Sequence, residues 1–449
     1  MPQAALRELL GIARIGGEAE IHGADPALKT PYRVGTAGAA ALAATGIAAA
    51  ELWKLRGGRA QRVAVDLRAA AASLRSSAYL RIDGKPPAPI WDPFSLFYAV
   101  RDGRWVRFHC NYPHHRAAAL RVLGVGEDRE SAERAAASWD GLALEDAIHA
   151  AGGCAALVRS AGEWGAHAHA AAVAGQPLLE IERIGDAPPQ PLPKAERPLS
   201  GVRVLDLTRV LAGPTCAKTL AEHGADVLKI TAAHLPDSGD VDLDTGLGKL
   251  SAQLDLREKE GVETLRGLAR EADVFSQSYR PGALAARGFS PEQLAKLRPG
   301  IVYVSLSAWG PAGAWKDRRG FDSIVQCVSG MAHAQGGGGK PQLLPCSAID
   351  YVSGYLMAFG TMVALGRRAR EGGSWLVRVA LARVGRWIVD RGVVDPAAPL
   401  AEEPQGLTME TQSPARVIRH LKPVVELSET PPYWARPPVP LGYHRPEWP

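Results

Sequence analysis

Asp350 stands in the run CSAIDYVSGYLMAFGTMVAL, at the mouth of an apolar helix dominated by small residues. A carboxylate in that place has two readings. As a helix cap it accepts an otherwise unpaired backbone N–H and contributes about 0.5–2 kcal/mol. As a nucleophile it is held ionised by the same N–H groups and can attack an activated carbonyl such as a thioester. Capping and catalysis do not exclude each other. Upstream, Gly201 to Ile230 (GVRVLDLTRVLAGPTCAKTLAEHGADVLKI) reads as strand, turn, helix, strand. Such a unit builds a crevice in which a phosphorylated carrier can lie.

Other groups are weaker. Gly336–Gly339, in AQGGGGKPQ, is a linker, a lid or a set of main-chain oxyanion donors. Thr245–Ser251 (TGLGKLS) resembles a P-loop but has Leu250 where that motif needs Ser or Thr, and it lacks the leading Gly. Lys249 within it is either a point charge for a phosphate or a solvated surface lysine. His109, Cys110, His114 and His115 match no closed zinc spacing, and no metal is expected. No G-x-S-x-G elbow and no strand-following G-x-G-x-x-G is present, which disfavours a serine hydrolase and a nicotinamide dehydrogenase.

The elements that must position these groups belong to a chain of 449 residues, long enough for two or more domains. A hydrophobic share of 46% and a charged share of 22% are those of a globular protein. The net charge of +5 suits an anionic ligand, yet no segment concentrates Lys and Arg as a nucleic-acid site does. Five scattered cysteines without a C-x-x-C pair argue for a reducing compartment, and the first residues do not read as a secretory signal, so a cytoplasmic location is expected. Thr36 to Ala50 is too short and too weakly apolar to be expected to span a bilayer, so no membrane association is predicted.

Downstream of a proline-rich seam at 185–200 the pattern alternates strands and helices. Strands are predicted at Val202–Leu207, Asp226–Ile230, Val274–Gln277 and Ile301–Leu306, with helices from Gly213 to His223, Asp255 to Ala272 and Pro291 to Leu297. That alternation predicts an α/β fold with a doubly wound, mostly parallel, Rossmann-like sheet over residues 201–394. Ligands then bind at the carboxyl ends of the strands, in the loops Thr208–Gly213, Ser278–Gly282 and Ser307–Gly313. Residues 1–184 read differently. An Ala-rich helix at Thr36–Leu55 leads through a basic turn to a strand and helix at Gln61–Ser77. A smaller α+β unit follows, with a hairpin at Arg101–Arg104 and helices at His115–Val122 and Leu142–Ala151. Residues 395–449 are proline-rich, predicted extended, and expected either to wrap over a neighbour or to fray. Thr45–Val65 parallels Phe359–Ala380 as helix, basic turn, Gly-Gly and strand. That echo suggests two partial copies of one unit, with Asp350 falling opposite Gly35 or Thr36.

Several runs carry a specific resemblance. LDLTRVLAGPTCAKTLAEHGADVLKI, ADVFSQSYRPGALAARGFSPEQLAKLRPGIVYVSLSAWG, RRGFDSIVQCVSGMAHAQG and the Asp350 helix resemble, in order, the family III CoA-transferases, which include formyl-CoA and carnitine CoA-transferases and α-methylacyl-CoA racemases. The match is close over about Gly201 to Ala382. Residues 1–184 resemble the later portion of the same fold, so the chain looks like a fusion of two truncated copies. The resemblance implies a CoA-transferase acting on acyl-CoA and carboxylate small molecules, with coenzyme A as carrier. Asp350 matches the family's catalytic aspartate, which forms covalent aspartyl intermediates. Val210, Leu211, Ala212, Lys249, Ser278, Tyr279 and Arg280 match CoA-contacting positions, and an interlocked homodimer is implied. The sequence departs from the pattern in TAAHLPDSGD after Ile230, at Ser278, at Arg287 and at Phe321, which replaces the histidine base of the racemases. The transferase reading therefore leads, with a racemase and a non-catalytic CoA-binding homologue as its alternatives.

Overall fold

Two long helices made of small residues set the architecture, in a computed structural model that describes residues 1–396 and 405–449. Four helices matter for the site: α1 (Val34–Leu55), α2 (Ala212–Glu222), α3 (Asp322–Val328) and α4 (Ala348–Glu371). Helices α1 and α4 are each long and apolar enough to cross a bilayer, which makes α1 longer than the apolar run predicted from sequence. Both are instead buried almost completely inside the protein, where they pack on each other. A helix covered on every side needs apolar residues all round and little bulk where neighbours come close. Gly354 meets that second need, because a Cβ there would lie 2.5 Å from the Ala212 carbonyl oxygen.

The seven strands of the large sheet are β1 (Glu180–Gly185), β2 (Arg203–Leu207), β3 (Asp226–Thr231), β4 (Lys249–Gln253), β5 (Val274–Gln277), β6 (Val302–Ser307) and β7 (Ser374–Ala380). Their order is β4-β3-β2-β5-β6-β7-β1, parallel except for β1, which runs antiparallel to β7. The predicted doubly wound sheet is therefore present, and its strand order reverses between β2 and β5. A crevice at the carboxyl ends follows from that reversal. The loops leaving β2 and β5 meet there, with the Arg209 N–H donating to Ser278 Oγ at 3.4 Å.

Strand β4 was not predicted. It hides in the failed P-loop because it opens on a lysine after a Gly-rich turn, a poor strand signature. The fold makes room for that lysine by facing it with Asp206 of β2.

Residues 1–184 do not fold apart from the rest. Their strand β1 closes the large sheet, and α1 shares one hydrophobic core with α4. The smaller unit contains the predicted hairpin, Phe97–Ala99 with Trp105–Phe108, extended by Ala155–Leu157. It is pinned by a buried Arg159–Glu145 ion pair of 2.6 Å. The seam at 185–200 is tied down as well. The Arg56 guanidinium donates to the carbonyls of Pro193, Pro198 and Ser200 at 2.6, 2.8 and 2.6 Å.

The segment 395–449 is not extended throughout. Positions 397–404, part of its proline-rich opening, lie outside the described residues. Strands then form at Thr408–Gln412, Val417–Leu421 and Val425–Leu427, and the last pairs antiparallel with Val63–Asp66. Alternating apolar residues in VIRHL outweighed the surrounding prolines. The remainder wraps over its own chain. His444 N–H donates to Ser251 O at 2.7 Å, covering the outer edge of β4, and Trp448 Nε1 donates to Leu268 O at 3.2 Å.

Candidate active site

Helix α4 begins with backbone N–H groups that have no partner inside the helix. Ser347, at the cap position, makes no side-chain cap. Asp322 of α3 supplies it instead: its Oδ2 accepts from the N–H of Ile349 at 2.9 Å and of Asp350 at 3.0 Å. The other oxygen accepts from Gln326 Nε2, whose amide oxygen in turn accepts from the Leu344 N–H at 2.8 Å. The capping that was one of the two sequence readings of Asp350 thus falls to Asp322. Among the described residues the Asp350 carboxyl has no hydrogen-bond partner, although only 7% of the residue is exposed. It opens instead on a cavity of about 540 Å³.

Burial and neighbouring charge govern both acids. Burial pushes Asp322 up to about 6, while the N–H groups of Asp350, Gln326 and Ile349 pull it down. Asp350 is raised well above the ordinary carboxylate range, first by burial and then by the negative charge of Asp322. The site therefore favours a protonated Asp350 beside a hydrogen-bonded Asp322.

Both halves of the chain build the walls. Val210, Leu211 and Phe321 come from the second half, and Arg75, His109 and Tyr112 from the first. The His109 ring stacks on Phe321 with centroids 3.8 Å apart and planes 7° from parallel. Burial, reinforced by Arg107, lowers His109 to about 3, so the ring is neutral. Its Nδ1 is buried without a partner. Val210 has φ 71°, a left-handed backbone that is costly for a β-branched side chain. The loop is held in that shape from beneath, where Asp206 Oδ1 accepts from the Thr208 N–H at 3.0 Å.

Of the residues predicted to contact the carrier, Val210 and Leu211 line the cavity beside Asp350. Ala212 opens α2 and packs its carbonyl on α4 rather than on the cavity. Lys249 is elsewhere: its ammonium is enclosed in the sheet, 2.8 Å from Asp206 Oδ2 and 2.9 Å from the Pro214 carbonyl. Burial lowers its pKa and Asp206 pulls it back. Neither a phosphate nor solvent reaches it, so both readings of this lysine give way to a buried ion pair that shapes the loop after β2. Ser278, Tyr279 and Arg280 form the adjoining loop and do not line the cavity, with Arg280 exposed. Gly336–Gly339 forms a closed turn whose N–H groups donate to Ala332, Ala334, His333 and Gly336, leaving none for an oxyanion.

Sequence reading missed the parts played by four residues. Asp322 was visible only as a neighbour of Phe321, although its spacing of four from Gln326 places both on one helix face. Arg209 and Arg319 join Arg280 as positive charges around His114, whose pKa is lowered by burial and then by these three. His109 was weighed only as a metal ligand.

The fold and site define an α/β chain with a doubly wound sheet and a buried aspartate that faces a cavity from a helix N-terminus. The chain belongs to CoA-transferase family III, whose family model matches residues 4–190 and 199–437. Two matched segments fit a chain assembled from two partial copies. It is 28% identical over 404 residues to an acyl-CoA transferase of Gibberella moniliformis, covering 79% of this chain and 70% of that one. It is 29% identical over 321 residues to the acetyl-coenzyme A transferase nodX of Hypoxylon pulicicidum, covering 65% of this chain and 54% of that protein. A solved structure, the hypothetical protein Rv3272 of Mycobacterium tuberculosis, is 32% identical with a TM-score of 0.41, over 43% of this chain and 57% of that one. The chain thus spans little more than half the length of two of these three.

Proposed function

We propose that this chain transfers coenzyme A between an acyl-CoA and a carboxylic acid through covalent intermediates on Asp350. The observation that carries this reading is the division of labour between two aspartates. Asp322 does the capping, which leaves the Asp350 carboxyl unbonded and facing the cavity. In the first step an Asp350 oxygen attacks the thioester carbon, the C–S bond breaks, and CoA leaves as thiolate, giving an aspartyl-acyl anhydride. The thiolate then attacks the Asp350 carbonyl and releases the donor acid, leaving an aspartyl-CoA thioester. The acceptor carboxylate displaces the thiolate in the same manner, and the thiolate takes the new acyl group, restoring Asp350. Phe321, His109 and Leu211 put apolar surface beside Asp350, where the intermediates would form. The names of the relatives support transfer of CoA or acyl groups. Arg209, Arg280 and Arg319 supply positive charge around His114 for the phosphates of the carrier. A reducing, cytoplasmic setting and a homodimer complete the proposal, the former supported by five free, buried cysteines.

Intact-mass measurement after mixing with acyl-CoAs tests it. One adduct of CoA or acyl mass per chain, sensitive to hydroxylamine and lost in Asp350→Ala, is expected. Bound CoA with no adduct from any donor would count against covalent transfer.

His109 favours a second reading, because it places a neutral imidazole against Phe321, where the racemases of this family have their histidine. Proton exchange at the α-carbon needs such a base facing an acid. Deuterium uptake from solvent at the α-carbon, lost in His109→Phe and without transfer to an added acid, would identify that activity.

A further inference from the structure

Gln326 lies on α3, 2% exposed, one helical turn after Asp322. Its amide oxygen accepts from the Leu344 N–H at 2.8 Å, and a backbone N–H can only donate. That bond fixes which way the amide points. The nitrogen therefore faces Asp322, where it donates to Oδ1, and it also reaches the Cys346 carbonyl at 3.5 Å. One side chain thus joins the carboxylate that caps α4 to the segment Leu343–Cys346, which lines the Asp350 cavity. Its polar atoms are engaged inside the protein, so it acts through Asp322 although it stands at the cavity wall.

The chemistry of residue 326 matters as much as its place. A locked donor stabilises Asp322 as an anion. An arginine or lysine would do so too, but it would cancel the charge that Asp322 sets beside Asp350. A glutamine holds the anion and leaves its field intact. Burial opposes the three N–H donors at Asp322, burial and the Asp322 charge act together on Asp350, and no cation is among these influences. The charged groups nearby act elsewhere, Arg107 and Arg159 on the Cys327 thiol and Arg75 on the Cys346 thiol. Burial raises both thiols and the Tyr112 phenol, so all three stay neutral.

Resting on the transferase reading above, we infer that Gln326 is a positioning residue for that reaction: its locked amide holds Asp322 in place as the charged cap under Asp350 and ties that cap to the cavity wall at Leu344 and Cys346.

Two variants of the full chain test this. Gln326→Met removes the donor at similar size. Gln326→Glu keeps it only while the new carboxyl is protonated. In that form its O–H donates to Asp322 and its C=O accepts from Leu344, whereas ionised it sets two carboxylates face to face. Burial and the Asp322 charge raise the pKa of the new carboxyl, so the contact is present at low pH and lost as pH rises. Amide exchange at Ile349 and Asp350 reads the cap without turnover. It should quicken about tenfold or more in Gln326→Met, and in Gln326→Glu its excess over the parent should grow as pH rises. With acetyl-CoA and succinyl-CoA as donors, Gln326→Met should lower kcat about tenfold or more and leave KM nearly unchanged, the cost of a misplaced nucleophile. The ratio of kcat in Gln326→Glu to that of the parent should fall as pH rises. Parent-like exchange in both variants would overturn the inference, and so would a ratio that stays flat with pH, which a packing role alone would give. If the parent is inactive with both donors, exchange alone decides the role of Gln326, and the transferase reading stands or falls on the mass measurement above. The melting temperature reports whether Gln326→Met is folded, and if it is not, the pH dependence of Gln326→Glu carries the test.

Discussion

A carboxylate buried without a hydrogen bond is a poor nucleophile until it loses its proton, and burial, with the charge of Asp322 added to it, decides when that happens. The folded-state pKa of Asp350 is raised, by burial and then by the Asp322 charge. The reactive anion is therefore scarce at low pH, and acylation should fall as pH drops through that raised value. Asp322→Asn keeps an oxygen for the N–H groups of Ile349 and Asp350 but removes the charge. The acid limb of the single-turnover acylation rate should accordingly move to lower pH in that variant. An unmoved limb would mean that the two acids do not communicate. The place of Asp350 at the start of an apolar helix was legible in its small, apolar neighbours, while its assignment as a nucleophile rested on the family resemblance. Asp322 was not legible, since its role depends on the first turns of α3 and α4 meeting, and no local pattern encodes that meeting. Lys249 misled for the opposite reason. A lysine after glycines looks solvated or phosphate-binding, and only the parallel pairing of β4 with β3 brings it beneath the loop after β2 to meet Asp206.

Close approach of whole elements is set by glycines that have no freedom to grow. At Gly354 an added Cβ would lie 2.5 Å from the Ala212 oxygen and 2.7 Å from Thr215 Cβ, neither of which is a flexible tip. Gly354→Ala should therefore push α2 away from α4 and destabilise the chain by about 1–3 kcal/mol, the usual cost of overpacking. Gly267, on the helix Lys259–Glu271, has nothing within 4 Å of an added Cβ. There the same change should stabilise by about 1 kcal/mol, the gain of alanine over glycine in a helix. Urea denaturation of the two variants beside the parent checks both signs, and a harmless Gly354→Ala would show that the α2–α4 contact is slack. Among elements, periodic ones were readable. The helix at Pro291–Leu297 lies where its proline start placed it, and β5 matches its prediction at both ends. Short strands whose partner is distant in sequence, such as Val425–Leu427 on Val63–Asp66, gave no such signal.

The whole molecule is two incomplete copies that complete each other. Helix α1 is capped as α4 is, from a separate segment: Asp25 accepts from the N–H of Gly35 at 3.1 Å and of Thr36 at 2.7 Å. Matching the caps sets Asp25 against Asp322 and Thr36 against Asp350, which resolves the alignment that sequence left between Gly35 and Thr36. The first copy thus keeps the scaffold of a site without its carboxylate, and supplies the walls of the other one. Arg75, Trp91, His109 and Tyr112 all reach the Asp350 cavity from the same chain. A homodimer can form around such a unit without lending a residue to its chemistry. Specific activity per chain should then stay constant on dilution from micromolar to nanomolar concentration, whatever assembly sedimentation reports over that range. Activity that falls in step with dissociation would show instead that a second copy finishes the cavity, and that the walls seen within one chain are not sufficient for transfer.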